Sequence, residues 1–332
     1  MTGTVQIPSM DFLWLFGLYV FFLVLCVSVF CLLSGRSSSG LDSALQRAER
    51  IISLVSPTWL QRCISSCFHT RSGAFVFLHL ILDMLVFAEY NWEVLDYSLE
   101  LELNWMLVFL PYVLITGNLY YFYKCCTTDP GRVTAQNESL CIGVYKYDEI
   151  MFHRSNKCPT CDLMKPARSK HCGVCGGCIQ RFDHHCVWVN NCIGALNIRY
   201  FLLYLLSLTL TAISLAAVMT AFLLQVVLLS HIMTAAYVDS EVHEEIASLA
   251  YVIQHLFLTF PRIVFTLGFL LLLILFLGGY TCFLWYLSIT NRTTNEWYKA
   301  RRIPRSPKGF SRGIVGNLKE IFQPYTLYKK ER

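Results

Sequence analysis

Five long apolar runs, 12–33, 74–90, 105–123, 201–230 and 263–289, decide what this 332-residue chain can fold into. Each is near the roughly 20 residues that an α-helix needs to cross the hydrocarbon of a bilayer, and four of them contain no charged residue. The run 74–90 carries His79, Asp83 and Glu89, so it is assigned on its flanks as well as its hydropathy. Charged residues make up 15% of the chain, against about 25% in soluble domains, which excludes a purely soluble fold. The run 12–33 is apolar for 22 residues with no Lys or Arg before it, which reads as an uncleaved span rather than a signal peptide. His79 and Asp83 stand one helical turn apart and read as a structural pair within their span.

The basic residues sort the loops. Of the 27 Lys and Arg, all but Arg262 fall in 34–73, 124–200 and 290–332, while the loops between are acidic, with Glu93, Asp96, Glu100 and Glu102 in one and Asp239, Glu241, Glu244 and Glu245 in the other. Cations collect on the cytoplasmic side of membrane proteins. Five spans therefore run from an outside N-terminus to a cytoplasmic C-terminus. The stretch from Ser248 to Phe260, ended by Pro261, is too short to cross and reads as an interfacial or re-entrant helix. The same map explains the net charge of +5 as juxtamembrane cations facing anionic lipid, with no nucleic-acid partner expected. Ser37 to Gly40 is a short linker.

Seven of the 15 cysteines lie between Cys158 and Cys192, in an interval assigned to the reducing cytoplasm, where structural disulfides are disfavoured. Their spacing suits metal instead: Cys158-x-x-Cys161, His171-Cys172-x-x-Cys175-x-x-Cys178, His184-His185-Cys186 and Cys192. These 35 residues hold ten candidate ligands, and two closed tetrahedral zinc sites use eight. In an extended segment successive side chains point to opposite faces. His184 and Cys186 then share one face and His185 points away towards metal. A free thiol with an imidazole in reach and Asp183 to orient that imidazole has the nucleophile, base and orienter logic of covalent acyl transfer. The alternatives are that all ten residues bind metal, or that Cys186 is merely buried.

Residues Cys158 to Cys192, with Lys165-Pro166-Ala167-Arg168 and the Trp188, Asn191 and Gly194-x-x-Asn197 that follow Asp183-His184-His185-Cys186, resemble the cysteine-rich domain of the DHHC-type protein S-palmitoyltransferases. Asp129-Pro130-Gly131, Thr293-Thr294-Asn295-Glu296, and Asn317 near Phe322 are similar to the family's shorter motifs. The resemblance covers about residues 124–325. It implies one zinc site from Cys158, Cys161, His171 and Cys178 and an interleaved one from Cys172, Cys175, His185 and Cys192, both structural. With four protein ligands each, neither leaves a position open for water. It further implies palmitoyl-CoA as acyl donor, an acyl-enzyme on Cys186, client proteins with membrane-proximal cysteines as acceptors, and an acyl-chain cavity among the spans with Trp188 near its mouth. Arg168, Lys170 and Arg181 are the candidate contacts for the CoA phosphates, with lipid-facing charge as the alternative. The usual family core has four spans, so 12–33 is a departure. With its C-terminal Lys329-Lys330-Glu331-Arg332, which resembles a dilysine signal read by a coat receptor, the chain most resembles an endoplasmic-reticulum member, the Golgi being the alternative residence.

The expected fold class is a polytopic α-helical membrane protein with five transmembrane helices and a cytoplasmic zinc-binding cysteine-rich domain. Its parts are an N-terminal segment with the first span (1–33), a cytoplasmic loop (34–73), two spans with a short lumenal loop (74–123), the cysteine-rich domain (124–200), two further spans with a lumenal loop (201–289), and a cytoplasmic tail (290–332). Cys63, Cys67, Cys125 and Cys126 are juxtamembrane thiols open to acylation or simply reduced. Asn137 and Asn291 head formal glycosylation sequons on the wrong side of the membrane for glycan. A RING-like ubiquitin ligase would leave no orphan Cys beside a His, and the adjacent His171-Cys172 breaks its usual ligand order. A transporter is disfavoured because the ionisable residues within the spans are confined to 74–90. A Cys-x-x-Cys redox enzyme would have to share its thiols with metal.

Overall fold

The computed structural model describes residues 57–58, 70–230, 236–238, 244–246, 249–301 and 309–324. The run 12–33, Cys63, Cys67, Lys329 and Lys330 lie outside the described residues. The chain divides into two compact units, one of residues 1–65 and 230–261, the other of 66–229 and 262–332. In the first, a short antiparallel hairpin pairs Ala236–Val238 with Glu244–Ile246, and an 11-residue helix spans Leu249–Thr259. That helix falls inside the stretch read above as too short to cross.

The second unit holds the membrane-length helices. Four helices among the described residues are long and apolar enough to cross a bilayer: Ala74–Glu100, Trp105–Thr127, Ile198–Leu229 and Pro261–Ile289. They match the last four apolar runs, and the protein is a membrane protein on that architecture. The first of them departs from the sequence reading, which ended the span at residue 90 and left 91–104 as an acidic loop. Here α1 (Ala74–Glu89) passes through a π-helical turn, Tyr90–Leu95, into α2 (Asp96–Glu100). No Gly or Pro interrupts this stretch, and its Leu and Glu residues favour helix. The break comes only where Glu102 adopts φ 55° and the Asn104 side chain caps the next helix by accepting from the Met106 amide at 2.9 Å. Arg262, the lone cation outside the basic loops, lies 2.6 Å from Glu93 of the π-helical turn.

Polar side chains tie the helices together. On α3 (Trp105–Thr127), Asn118 donates to the Tyr204 carbonyl at 3.0 Å and the Ser207 hydroxyl at 3.1 Å of α5 (Ile198–Leu229). Buried amides of this kind act as interhelical links where lipid offers no partner. His79 of α1 contacts Asp83 at 3.3 Å and the Tyr204 hydroxyl at 3.2 Å, so the pair read from the sequence also ties α1 to α5. Thr209 of α5 meets Thr281 of α6 (Pro261–Ile289) at 3.2 Å. At about 1.5 Å per residue, α5 spans about 48 Å, more than the roughly 30 Å of hydrocarbon. Its first turns pack Phe201 and Tyr204 into one buried cluster with Cys186, Val189 and Ile193 of the cysteine-rich region.

That region, between α3 and α5, has almost no regular structure. The short helix α4 (Glu138–Val144) is followed by three two-stranded hairpins, β1 (Lys157–Cys158) with β2 (Leu163–Met164), β3 (Lys170–Cys172) with β4 (Gly177–Ile179), and β5 (His184–Cys186) with β6 (Asn191–Ile193). Asp129 Oδ1 accepts from the Gly131 and Arg132 amides, both at 2.8 Å, and Gly131 takes φ 99°. This turn brings the Pro130 carbonyl so close to Gly194 that a Cβ there would lie 2.5 Å from it. Only glycine fits at 194. Asn197 closes the same loop by accepting from the Gly194 amide at 2.9 Å and donating to the Cys192 carbonyl at 2.8 Å.

Candidate active site and metal clusters

Two groups of four side chains converge in the hairpins, Cys158, Cys161, His171 and Cys178, and Cys172, Cys175, His185 and Cys192, each with its ligand atoms within 4.8 Å of one another. These are the two sets implied by the family resemblance. Hairpin register builds them: His171 stands across from Cys178, and His185 across from Cys192. Because Cys172 follows His171 and belongs to the other set, the two clusters interleave. Zinc–ligand bonds of about 2.0–2.3 Å in a tetrahedron separate neighbouring ligand atoms by roughly 3.5–3.8 Å. The Cys175–Cys192 sulfurs lie 3.4 Å apart, Nδ1 of His171 lies 3.3–3.9 Å from its three sulfurs, and Nδ1 of His185 lies 3.3 Å from Cys175 and 3.6 Å from Cys192. The donor sets and their spacing fit two tetrahedral metal ions. Both imidazoles present Nδ1, a choice that spacing in the sequence does not specify.

Strand alternation leaves His184 and Cys186 outside both clusters. Cys186 is 8% exposed, within a buried set that includes Phe122, Cys125, Ile193, Phe201 and Tyr204, and Trp188 packs against that set. The His184 ring meets Phe201 edge-on at 5.2 Å. Its Nδ1 lies 2.7 Å from Asp183 Oδ2. Burial disfavours the imidazolium, but hydrogen bonding with Asp183 and Cys186 outweighs it and raises His184 to about 10. For Asp183 burial acts upward, and the bonds from His184 and Thr294 more than offset it, leaving the carboxyl below its usual range.

Thr294 is a residue whose role the sequence reading missed. The segment after α6 folds into α7 (Thr294–Ala300) with a reciprocal cap: Thr293 accepts from the Glu296 amide at 3.2 Å, and Glu296 accepts from the Thr293 amide at 3.0 Å. That cap aims Thr294 at Asp183, its amide donating to Oδ1 at 2.8 Å and its hydroxyl to Oδ2 at 2.7 Å. Glu296 meanwhile takes Arg168 in a fork, Nε at 2.6 Å and Nη2 at 2.8 Å.

This corrects the assignment of Arg168 and Arg181 to CoA phosphates. Arg168 is 1% exposed, donates to the Asn291 side chain and carbonyl, both at 3.0 Å, and lies over the Tyr145 and Phe310 rings at 4.9 and 4.5 Å. Its donors face protein. Arg181 is buried, donating to Asn291 at 3.2 Å with Glu320 at 3.7 Å. Both take left-handed backbone, φ 66° and 46°, a strained conformation that persists where surroundings over-determine it. Asn291 is the hub, also donating to Glu320 of α8 (Ile314–Phe322) at 3.0 Å. Asn317 pins α8 to the end of α6 through the Ile289 carbonyl at 2.6 Å. Lys170 alone of the three stays exposed, its ammonium 5.2 Å over the Phe182 ring. Nothing local in the sequence marks this role for Asn291 or Glu320, because the arginines they hold lie more than 100 positions away.

The metal clusters, the buried thiol and the motif after the last membrane helix all lie within residues 151–301, which match the model of the DHHC palmitoyltransferase family. The chain belongs to that family and is a palmitoyltransferase, a protein S-acyltransferase. Palmitoyltransferase ZDHHC4 of Mus musculus is 47% identical over 343 aligned positions, covering 97% of this chain and 99% of its own. The protein of the same name from Bos taurus is 46% identical, covering 96% and 98%. Palmitoyltransferase swf1 of Schizosaccharomyces pombe is 43% identical over 99 positions, 30% of this chain and 26% of its own.

Proposed function

We propose that the enzyme moves palmitate from palmitoyl-CoA to client cysteines in two half-reactions. Cys186 sulfur attacks the thioester carbonyl, CoA leaves, and a client thiol then takes the acyl group from Cys186. His184 removes the thiol proton and returns it to the leaving sulfur, and Asp183 holds the imidazole by its Nδ1. An imidazolium beside the sulfur favours the thiolate. The observation that carries this reading is the Cys186–His184–Asp183 set, with its thiol and carboxylate buried, its imidazole partly exposed, and all three outside both metal clusters. The two zinc ions are structural, held by Cys158, Cys161, His171 and Cys178 and by Cys172, Cys175, His185 and Cys192. A C16 chain lies among the helices with Trp188 at the cavity mouth, and exposed Lys170 meets the CoA phosphates. Kinetics with varied donor and client test the two-step scheme. Parallel double-reciprocal lines and a hydroxylamine-labile acyl group on Cys186 without client are expected, whereas intersecting lines would point to direct transfer in a ternary complex.

The proposed topology has five spans, with 34–73, 124–200 and 290–332 cytoplasmic. Asn137 is then expected to stay unglycosylated in the inserted protein, while a sequon in a lengthened loop at 101–104 is modified. Glycan on Asn137, read by endoglycosidase shift, would put the clusters on the other side of the membrane. Clients are proteins with membrane-proximal cysteines. Residence in the endoplasmic reticulum follows from Lys329 and Lys330 as a dilysine address for a coat receptor. Replacing both with Ser is expected to move the steady-state signal to the Golgi or beyond by microscopy, and an unchanged location overturns the address.

A further inference from the structure

Three thiols meet where α3 ends. Cys125 and Cys186 belong to one buried cluster, and Cys126 packs against it. Asn191 fixes this arrangement. It stands directly across the β5–β6 hairpin from Cys186, and its side-chain amide donates to the carbonyls of Cys125 at 3.0 Å, Cys126 at 3.5 Å and Thr128 at 3.0 Å. The last turn of α3 is thereby clamped to the strand pair that presents Cys186. The two neighbouring thiols differ in access: Cys125 is fully enclosed, whereas Cys126 is half-buried. Of the two, Cys126 is the accessible thiol.

We propose that Cys126 is a resident acyl acceptor, taking the fatty acyl group from Cys186 by thioester exchange within the chain, an inference that rests on the acyl-enzyme reading above. Cys126 sulfur bonds to the carbonyl carbon as the bond from that carbon to Cys186 sulfur breaks, and the Cys126 thiol proton passes through His184 to Cys186. One thioester replaces another, so no oxidant or second donor is consumed. Clamping by Asn191 makes the exchange an encounter of pre-positioned groups, which outpaces reaction with donor from solution.

The test uses full-length enzyme in phospholipid nanodiscs, pulsed with an alkyne-bearing palmitoyl-CoA analogue, freed of donor and chased without client. Peptide mapping reads Cys186 and Cys126 separately over time. Label is expected first on Cys186, then to fall there as it rises on Cys126, while Cys126→Ser holds its label on Cys186. With donor supplied continuously, Cys126 in Cys186→Ser is expected to label at least about tenfold more slowly than in the wild type. Label that leaves Cys186 without reaching Cys126 overturns the exchange while the acyl-enzyme stands. Equal labelling of Cys126 in Cys186→Ser also overturns it, by showing direct acylation. Absence of label from Cys186 overturns the acyl-enzyme reading and the exchange with it.

Discussion

Cys186→Ser is expected to abolish turnover, by on the order of a thousandfold or more, while two zinc ions per chain and the unfolding temperature remain as in the wild type. The expectation follows from geometry: Cys186 contributes to neither four-residue cluster, and serine is nearly isosteric in its buried setting. The hydroxyl lacks the nucleophilicity of a thiolate, so no hydroxylamine-labile adduct should form with a palmitoyl-CoA analogue. His184→Ala is expected to keep zinc too and to slow acylation by about 10²–10⁴-fold, the usual worth of a positioned general base. Zinc loss from Cys186→Ser would make Cys186 a ligand and remove the nucleophile from the scheme.

Cys175→Ser is expected to fail differently, losing zinc, protease resistance and activity together. The strands of the hairpins around the clusters are two or three residues long, too short for the hairpins to hold themselves together. Structural zinc contributes about 10–16 kcal/mol in small metal-folded domains, as much as the roughly 5–15 kcal/mol that stabilises a whole domain. Removing one thiolate from a closed site therefore unfolds the region rather than loosening it. Metal analysis and limited proteolysis on membrane-embedded enzyme check this, and a variant that keeps two zinc ions and full resistance would remove Cys175 from the ligand set.

Membrane helices and metal clusters were legible because both are written locally, one as a continuous apolar run, the other as Cys-x-x-Cys and His spacing within 35 residues. Strand alternation also sufficed to separate His185 from His184 and Cys186, since β5 is extended there. What the sequence concealed was long-range pairing. Glu93 reads as a loop residue until Arg262, 169 positions away, meets it. Arg168 and Arg181 read as surface cations because Asn291, Glu296 and Glu320 come more than 100 residues later. Thr294 was visible as part of a motif, but its bonds to Asp183 depend on how α7 is capped and docked.

The buried guanidinium of Arg168 also imposes an order on biosynthesis. A ribosome delivers Arg168 more than 120 residues before Asn291 and Glu296, with two membrane helices still to be made. Until those partners emerge, closing the cysteine-rich region would bury an uncompensated charge, a change that costs about 3–5 kcal/mol when a native pair loses one member. The region thus stays unfinished while the nascent chain is being inserted, and Asp183 waits with it, because Thr294 arrives in the same late segment. A chain released early, before the last membrane helix and α7, carries a thiol without its aligned imidazole. In the proposed scheme, acyl transfer is then available only to molecules whose translation has run past α7.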